Sequence, residues 1–177
     1  MFSKKTKIIK KLIFFCFFLN FTFSNHVNAS ESKLNEKILE HLNNYNEFSS
    51  EFIQIDGKNV QEGSLFIKNN RLRIDYPKPT DILIIIKENK AMYYNRGLEE
   101  VEYFNPKKSI SSIFFNLFND PDFLKESEII SEESLVYFKK NISIMDEVYV
   151  VNIFFEKKPI LLKKVEVEED GGKLKFF

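Results

Sequence analysis

From Phe48 to the last residues of the chain, apolar side chains recur at every second position over most of the sequence. A period of two belongs to strands whose two faces meet different surroundings, so the chain is committed to an antiparallel sheet. In the first strand Phe48, Ser50 and Phe52 alternate with Ser49, Glu51 and Ile53, and Asp56-Gly57 ends it. A second strand is expected over residues 61–68. Asn69-Asn70 then supplies a tight hairpin, because Asn tolerates the positive φ that such turns need. Beyond it Leu72, Ile74 and Tyr76 alternate with Arg71, Arg73 and Asp75, the cleanest two-faced strand of the chain. Pro77 and Pro79 break the ladder, and residues 82–86 form an unbroken apolar run that must be covered on both faces or lie at a crowded centre. Further strand segments run to residue 104 and again from 135 to the end, and eight or nine consecutive strands are expected in all.

Two stretches depart from this period. Leu34, Ile38, Leu42 and Tyr45 recur at helical intervals behind Ser32, which predicts an amphipathic helix of about 13 residues. Between Asn105-Pro106 and Asp120-Pro121, Ile110, Ile113, Phe114, Leu117 and Phe118 fall at i, i+3, i+4, i+7 and i+8, a second helix punctuated by proline at both ends. No internal repeat or linker interrupts the order. A mainly β (α+β) fold follows, a curved antiparallel sheet with both helices on one face as a cover.

The amino terminus has a different character. Five lysines between Lys4 and Lys11 precede any acid, an apolar run of about a dozen residues extends from Leu12 to Phe23, and Val27-Asn28-Ala29 places small residues ahead of Ser30. This is the pattern of a secretory signal peptide over residues 1–29, too short for the roughly 20 residues of a spanning helix. The mature domain is then residues 30–177. Its formal charge is −5, because the 26 basic residues of the whole chain lose five lysines while all 26 acids remain. The one cysteine, Cys16, lies among phenylalanines inside the apolar run. The mature part therefore carries no disulfide and no thiolate metal site.

Catalytic groups are scarce. His41 is the one histidine after the signal peptide, expected on the solvated side of the first helix, so a Ser-His-acid triad could use only His41 and a zinc site would need a carboxylate-rich set of ligands. The acidic runs Glu99-Glu100-Val101-Glu102, Glu132-Glu133 and Glu166 to Asp170 formally permit paired-carboxylate hydrolysis, but such runs are ordinarily solvated faces. An acidic domain repels phosphate, which disfavours nucleic acid. Apolar surface on one sheet face is what the chain offers in quantity.

The order of several short motifs adds to this reading. Phe48-Ser-Ser-Glu-Phe52-Ile-Gln54, Gly63-Ser-Leu65-Phe-Ile67, Arg71-Leu72-Arg73-Ile74-Asp75-Tyr76-Pro77, Met92-Tyr-Tyr94-Asn95 and Glu99-Glu-Val101 follow one another behind a signal peptide. In this order they resemble the LolA family, periplasmic carriers of outer-membrane lipoproteins. The resemblance runs over residues 33–118.

It implies an unclosed antiparallel β half-barrel with a helical lid, shared with LolB, that holds lipoprotein acyl chains on its concave apolar side. On that template Phe48, Phe52, Leu65, Ile67, Leu72, Ile74 and Tyr76 face the acyl cavity, and Ile110, Ile113, Phe114, Leu117 and Phe118 belong to the lid. The implied partners are acylated lipoproteins, an inner-membrane ABC-type releasing complex, and a LolB-like outer-membrane receptor or the membrane itself. The implied protein is a periplasmic, Gram-negative monomer without cofactor, metal or enzymatic activity. Three departures stand out. The Arg-Pro whose arginine latches the family's lid is replaced by Lys68-Asn69-Asn70, which leaves Lys68 as the nearest latch. Met92 stands where an aromatic is usual, and Asn89 is expected to make the turn before it in place of Asp-Gly. The sequence stops at Phe177, where the family continues with a further strand, so an open last edge is expected. The alternative reading is a lipoprotein-sensing regulatory module resembling the amino-terminal domain of RseB.

Overall fold

The structure is a computed structural model that describes residues 28–44, 47–169 and 172–177. The predicted signal peptide lies outside the described residues except for Asn28 and Ala29, and Tyr45 and Asp170 lie outside them too. The chain divides into two units, residues 1–35 and 36–177. In the first, the described residues are the opening turns of helix α1, Asn28–Asn43. That helix starts four residues ahead of Ser32, since nothing between Asn28 and Ser32 breaks it.

In the second unit α1 ends with Ile38 and Leu42 buried at i and i+4, and His41 is half-buried rather than fully solvated. An antiparallel sheet follows, built from β1 (Glu47–Asp56), β2 (Asn59–Lys68), β3 (Arg71–Tyr76), β4 (Ile82–Lys87), β5 (Lys90–Asn95) and β6 (Glu100–Phe104) as a meander. A 3-10 turn at Pro106–Lys108 and helix α2, Ser111–Asn119, interrupt it. The chain then returns as β7 (Glu128–Ser131), β8 (Leu135–Ile144), β9 (Glu147–Lys157), β10 (Ile160–Glu169) and β11 (Gly172–Phe176). The sheet has eleven strands, more than the eight or nine expected. β7 is too short for its Ile129-Ile130 pair to display alternation in sequence.

The strand order is β6-β5-β4-β3-β2-β1-β11-β10-β9-β8-β7, and the sheet does not close on itself. This unit is a mainly β, open half-barrel with α2 over one face. The last strand is not an edge. β11 lies at the centre between β1 and β10, and the free edges are β6 and β7.

Turn chemistry explains much of the meander. Asn69 and Asn70 take φ of 52° and 55°, the pair of left-handed residues that suits the twist of a two-residue hairpin. In the β4–β5 turn it is Glu88, with φ of 54°, that takes the left-handed position assigned from sequence to Asn89. β3 alternates as read, with Leu72, Ile74 and Tyr76 buried between the exposed Arg71 and Arg73. Residues 82–85 are half-buried at every position, so the apolar run in β4 is partly covered on both faces.

Candidate functional site

Cross-strand register lines up one inner face. Phe48 opposes Ile67, Ser50 opposes Leu65 and Phe52 opposes Gly63, while Leu65 opposes Ile74 and Ile74 opposes Ile84. The Phe52 ring lies over Gly63. A Cβ built on that glycine would come 2.3 Å from the ring Cζ, so the absent side chain is what lets the ring lie down against β2.

Helix α2 spans this inner face through aromatic contacts. Phe118 meets Phe48 with ring centroids 5.1 Å apart, and Phe114 meets Phe176 of β11 edge-on at 4.4 Å. Phe176 in turn sits 5.9 Å from Phe52, which packs edge-on to Tyr76 at 5.6 Å. A chain of rings therefore runs from the sheet floor to the helix. Between them lies a half-enclosed, largely apolar cavity of about 410 Å³. That volume falls within the roughly 300–1,000 Å³ of ligand pockets.

Of the seven sheet residues singled out from sequence, Phe48, Phe52, Leu65, Ile74 and Tyr76 line this cavity. Ile67 and Leu72 share the inner face but lie fully buried nearer the Asn69-Asn70 hairpin, outside the cavity wall. On the helical side Ile110, Phe114 and Phe118 line it, whereas Ile113 and Leu117 are buried away from it. Register also separates Lys68 from the lid. Alternation turns it to the face opposite Ile67, where its amino group meets Glu47 at 2.5 Å in an exposed pair, so it does not reach α2 from there. Sequence reading passed over the wall made by β11 and β10 on the side of β1 away from β2, namely Leu161, Leu162, Leu174 and Phe176. Period-two alternation of Leu174 and Phe176 carried that signal. What sequence could not reveal is that β11 pairs with β1.

Polar groups mark the margins. Tyr76 donates a 2.5 Å hydrogen bond to Gln54 Oε1, and burial pushes the phenol up to about 12, so the hydroxyl remains a donor at neutral pH. At the rim Lys164 Nζ lies 4.0 Å from the centre of the Phe154 ring and 3.1 Å from Glu166. Glu166 is only 5% exposed and also meets Lys173 at 2.9 Å, so the acidic run at 166–169 is not uniformly solvated. Burial would raise its pKa, but hydrogen bonds and charge from Lys173 and Lys164 outweigh that and hold the carboxyl below its ordinary value. Among the described residues there is no cluster of His, Cys, Asp and Glu able to hold a metal ion, and no helix is long and apolar enough to cross a membrane.

Comparison with known proteins agrees with this geometry. No curated protein sequence matches the chain. A crystal structure of an uncharacterized conserved protein from Thermus thermophilus superimposes with a TM-score of 0.50 at 8% identity, covering 84% of this chain and 86% of that one, which is a likeness of fold. The sequence profile of the family described as outer membrane lipoprotein carrier protein LolA matches residues 43–176, so the span from the end of α1 through β11 is accounted for. The chain belongs to the LolA family.

Proposed function

We propose that this protein is a periplasmic carrier that takes up the acyl chains of lipoproteins released from the inner membrane and passes them to the outer membrane. The observation that carries the proposal is the half-enclosed apolar cavity between the inner sheet face and α2. A sixteen-carbon acyl chain is rejected by water at about 0.8 kcal/mol per methylene, on the order of 12 kcal/mol in all, so free diffusion between membranes is negligible. A carrier must cover that surface and later surrender it. A helix that fills part of the cavity with its own Phe114 and Phe118 can exchange those rings for hydrocarbon, and no chemistry on the cargo is needed. Release would require an ABC-type complex in the inner membrane, and delivery would run to a LolB-like receptor or to the membrane itself. The amino-terminal signal pattern suits a protein that works outside the cytoplasm.

The test is release of lipoproteins from inner-membrane spheroplasts into the soluble phase by the purified chain, with mass spectrometry of the lipopeptide that co-purifies. Ile74→Glu places a charge in the cavity wall and is expected to abolish release. Leu72→Glu is the poorer probe, because Leu72 is fully buried beyond the wall and its replacement reports on folding. Undiminished transfer by a folded Ile74→Glu variant would remove this assignment of the cavity.

A further inference from the structure

A second cavity, of about 590 Å³, begins where the apolar one ends, and Gln54 lines both. The change of character follows the strands. Along the inner face β1 runs Phe48, Ser50, Phe52 and then Gln54 and Asp56, while the facing positions of β2 run Ile67, Leu65, Gly63 and then Gln61 and Asn59. The same groove is thus apolar toward the Asn69-Asn70 hairpin and rich in amide groups toward the Gly57 turn. Its far wall is the loop of residues 77–80, which is held in place rather than left loose. Arg96 ion-pairs with both Asp75 and Asp81, its backbone N–H donates to the Asp81 carbonyl at 2.9 Å, and Gln61 Nε2 donates to Thr80 Oγ1 at 3.3 Å. The charges on the lining cancel, Lys58 and Lys78 against Asp56 and Glu62. A cavity of this kind offers hydrogen bonds to neutral carbonyls and amides and has no excess of cations for a phosphate.

We propose that this polar annex receives the ester groups and first peptide units next to the acylated end of a lipoprotein cargo, with the Gln54–Tyr76 hydrogen bond marking the point where hydrocarbon gives way to peptide. The inference rests on the carrier reading above. Hydrocarbon and amide are covalently adjacent in such a cargo, and an ester or amide drawn into the apolar cavity would lose its water without gaining a partner. The two ends of one groove, differing in polarity and joined at one residue, match that adjacency. The loop clamp on Arg96 means that the annex exists before cargo arrives.

Two tripalmitoylated cysteinyl peptides test it by photo-crosslinking to the purified chain, one with a diazirine at an acyl terminus and the other with it on the second residue after the cysteine. The acyl-borne group is expected to label the cavity wall around Phe52 and Ile74, and the peptide-borne group residues 54–62 or 77–80. Peptide-borne adducts on α2 or β10, with acyl adducts still in the cavity, would overturn the annex and leave the carrier reading standing. Absence of both kinds of adduct would overturn the two together. Independently, Gln61→Leu combined with Thr80→Val is expected to lower the ratio of lipopeptide to palmitate affinity about tenfold. An unchanged ratio overturns the assignment.

Discussion

Glu166 illustrates how far a single residue's role depends on neighbours that sequence does not reveal. It stands in the acidic run at 166–169, and runs of that kind ordinarily face water. In the fold its strand neighbour β11 brings Lys173 and Lys175 alongside, Lys164 lies two positions back on its own strand, and the carboxylate is covered. Its pKa is depressed below the ordinary 4.5, so the stabilisation is complete above the unfolded value and lost as pH falls through the lower folded value. Glu166→Gln is therefore expected to lower stability at pH 7 by roughly 1–3 kcal/mol, the loss of charge-assisted hydrogen bonds made by a covered carboxylate. The gap should narrow as the pH is taken below about 4. Urea-unfolding midpoints of the two proteins at pH 7 and at about pH 3.5 decide it, and a gap of constant size would mean that the charge contributes nothing. Turn residues were more legible: Asn69 and Asn70 act through their own backbone preference, which is local, whereas Glu88 is forced to positive φ by the strands on either side.

Elements were legible wherever the period persisted. β3 and α2 declare their buried faces in sequence, since alternation and the i, i+3, i+4 pattern each require only one strand or helix to be read. β7 did not, and neither did the division of α2 into two buried faces. Ile110, Phe114 and Phe118 turn toward the cavity while Ile113 and Leu117 are buried away from it, a distinction set by where the helix docks. This gives α2 two separable tasks, anchoring and filling. Phe114→Ala removes a ring that contacts Phe176 at 4.4 Å and should lower stability by roughly 2–4 kcal/mol, the lower part of the range reflecting space already open beside it. If the ring competes with hydrocarbon for the same wall, the variant binds palmitate more tightly despite being less stable. Thermal unfolding together with titration of palmitate tests this, and weaker binding would make Phe114 part of the ligand's wall rather than its competitor.

At the scale of the whole sheet, the order of the strands could not be read from their sequence. Neighbouring strands pair in succession from β1 to β6 and from β7 to β11, as a meander predicts, but the two runs are joined through β1 and β11, the strand farthest from it in the chain. That joint is short. β11 pairs with β1 over Gln54, Ile55 and Asp56, supplemented by reciprocal hydrogen bonds between Ile53 and Phe177 at 3.1 and 2.9 Å, whereas β1 and β2 pair over their full ten residues. On the other side β11 pairs with β10 from Val165 to Glu169. A few residues at the carboxyl terminus thus hold a six-stranded run against a four-stranded one, and Phe176 among them touches both Phe52 and Phe114 across the cavity. Removing residues 172–177 should consequently do more than trim an end. It exposes the inner edges of β1 and β10 together, leaves their backbone groups without sheet partners and takes one ring out of the cavity wall. The truncated chain is expected either to fail to fold or to unfold in two transitions in place of one, with amides of β8 and β9 protected from hydrogen exchange longer than those of β1 and β2, because β9 keeps paired strands on both sides and a more deeply buried face while β1 keeps only β2. A truncated protein that melts in a single transition at the original midpoint would show that the strand between them is not what holds the two runs together.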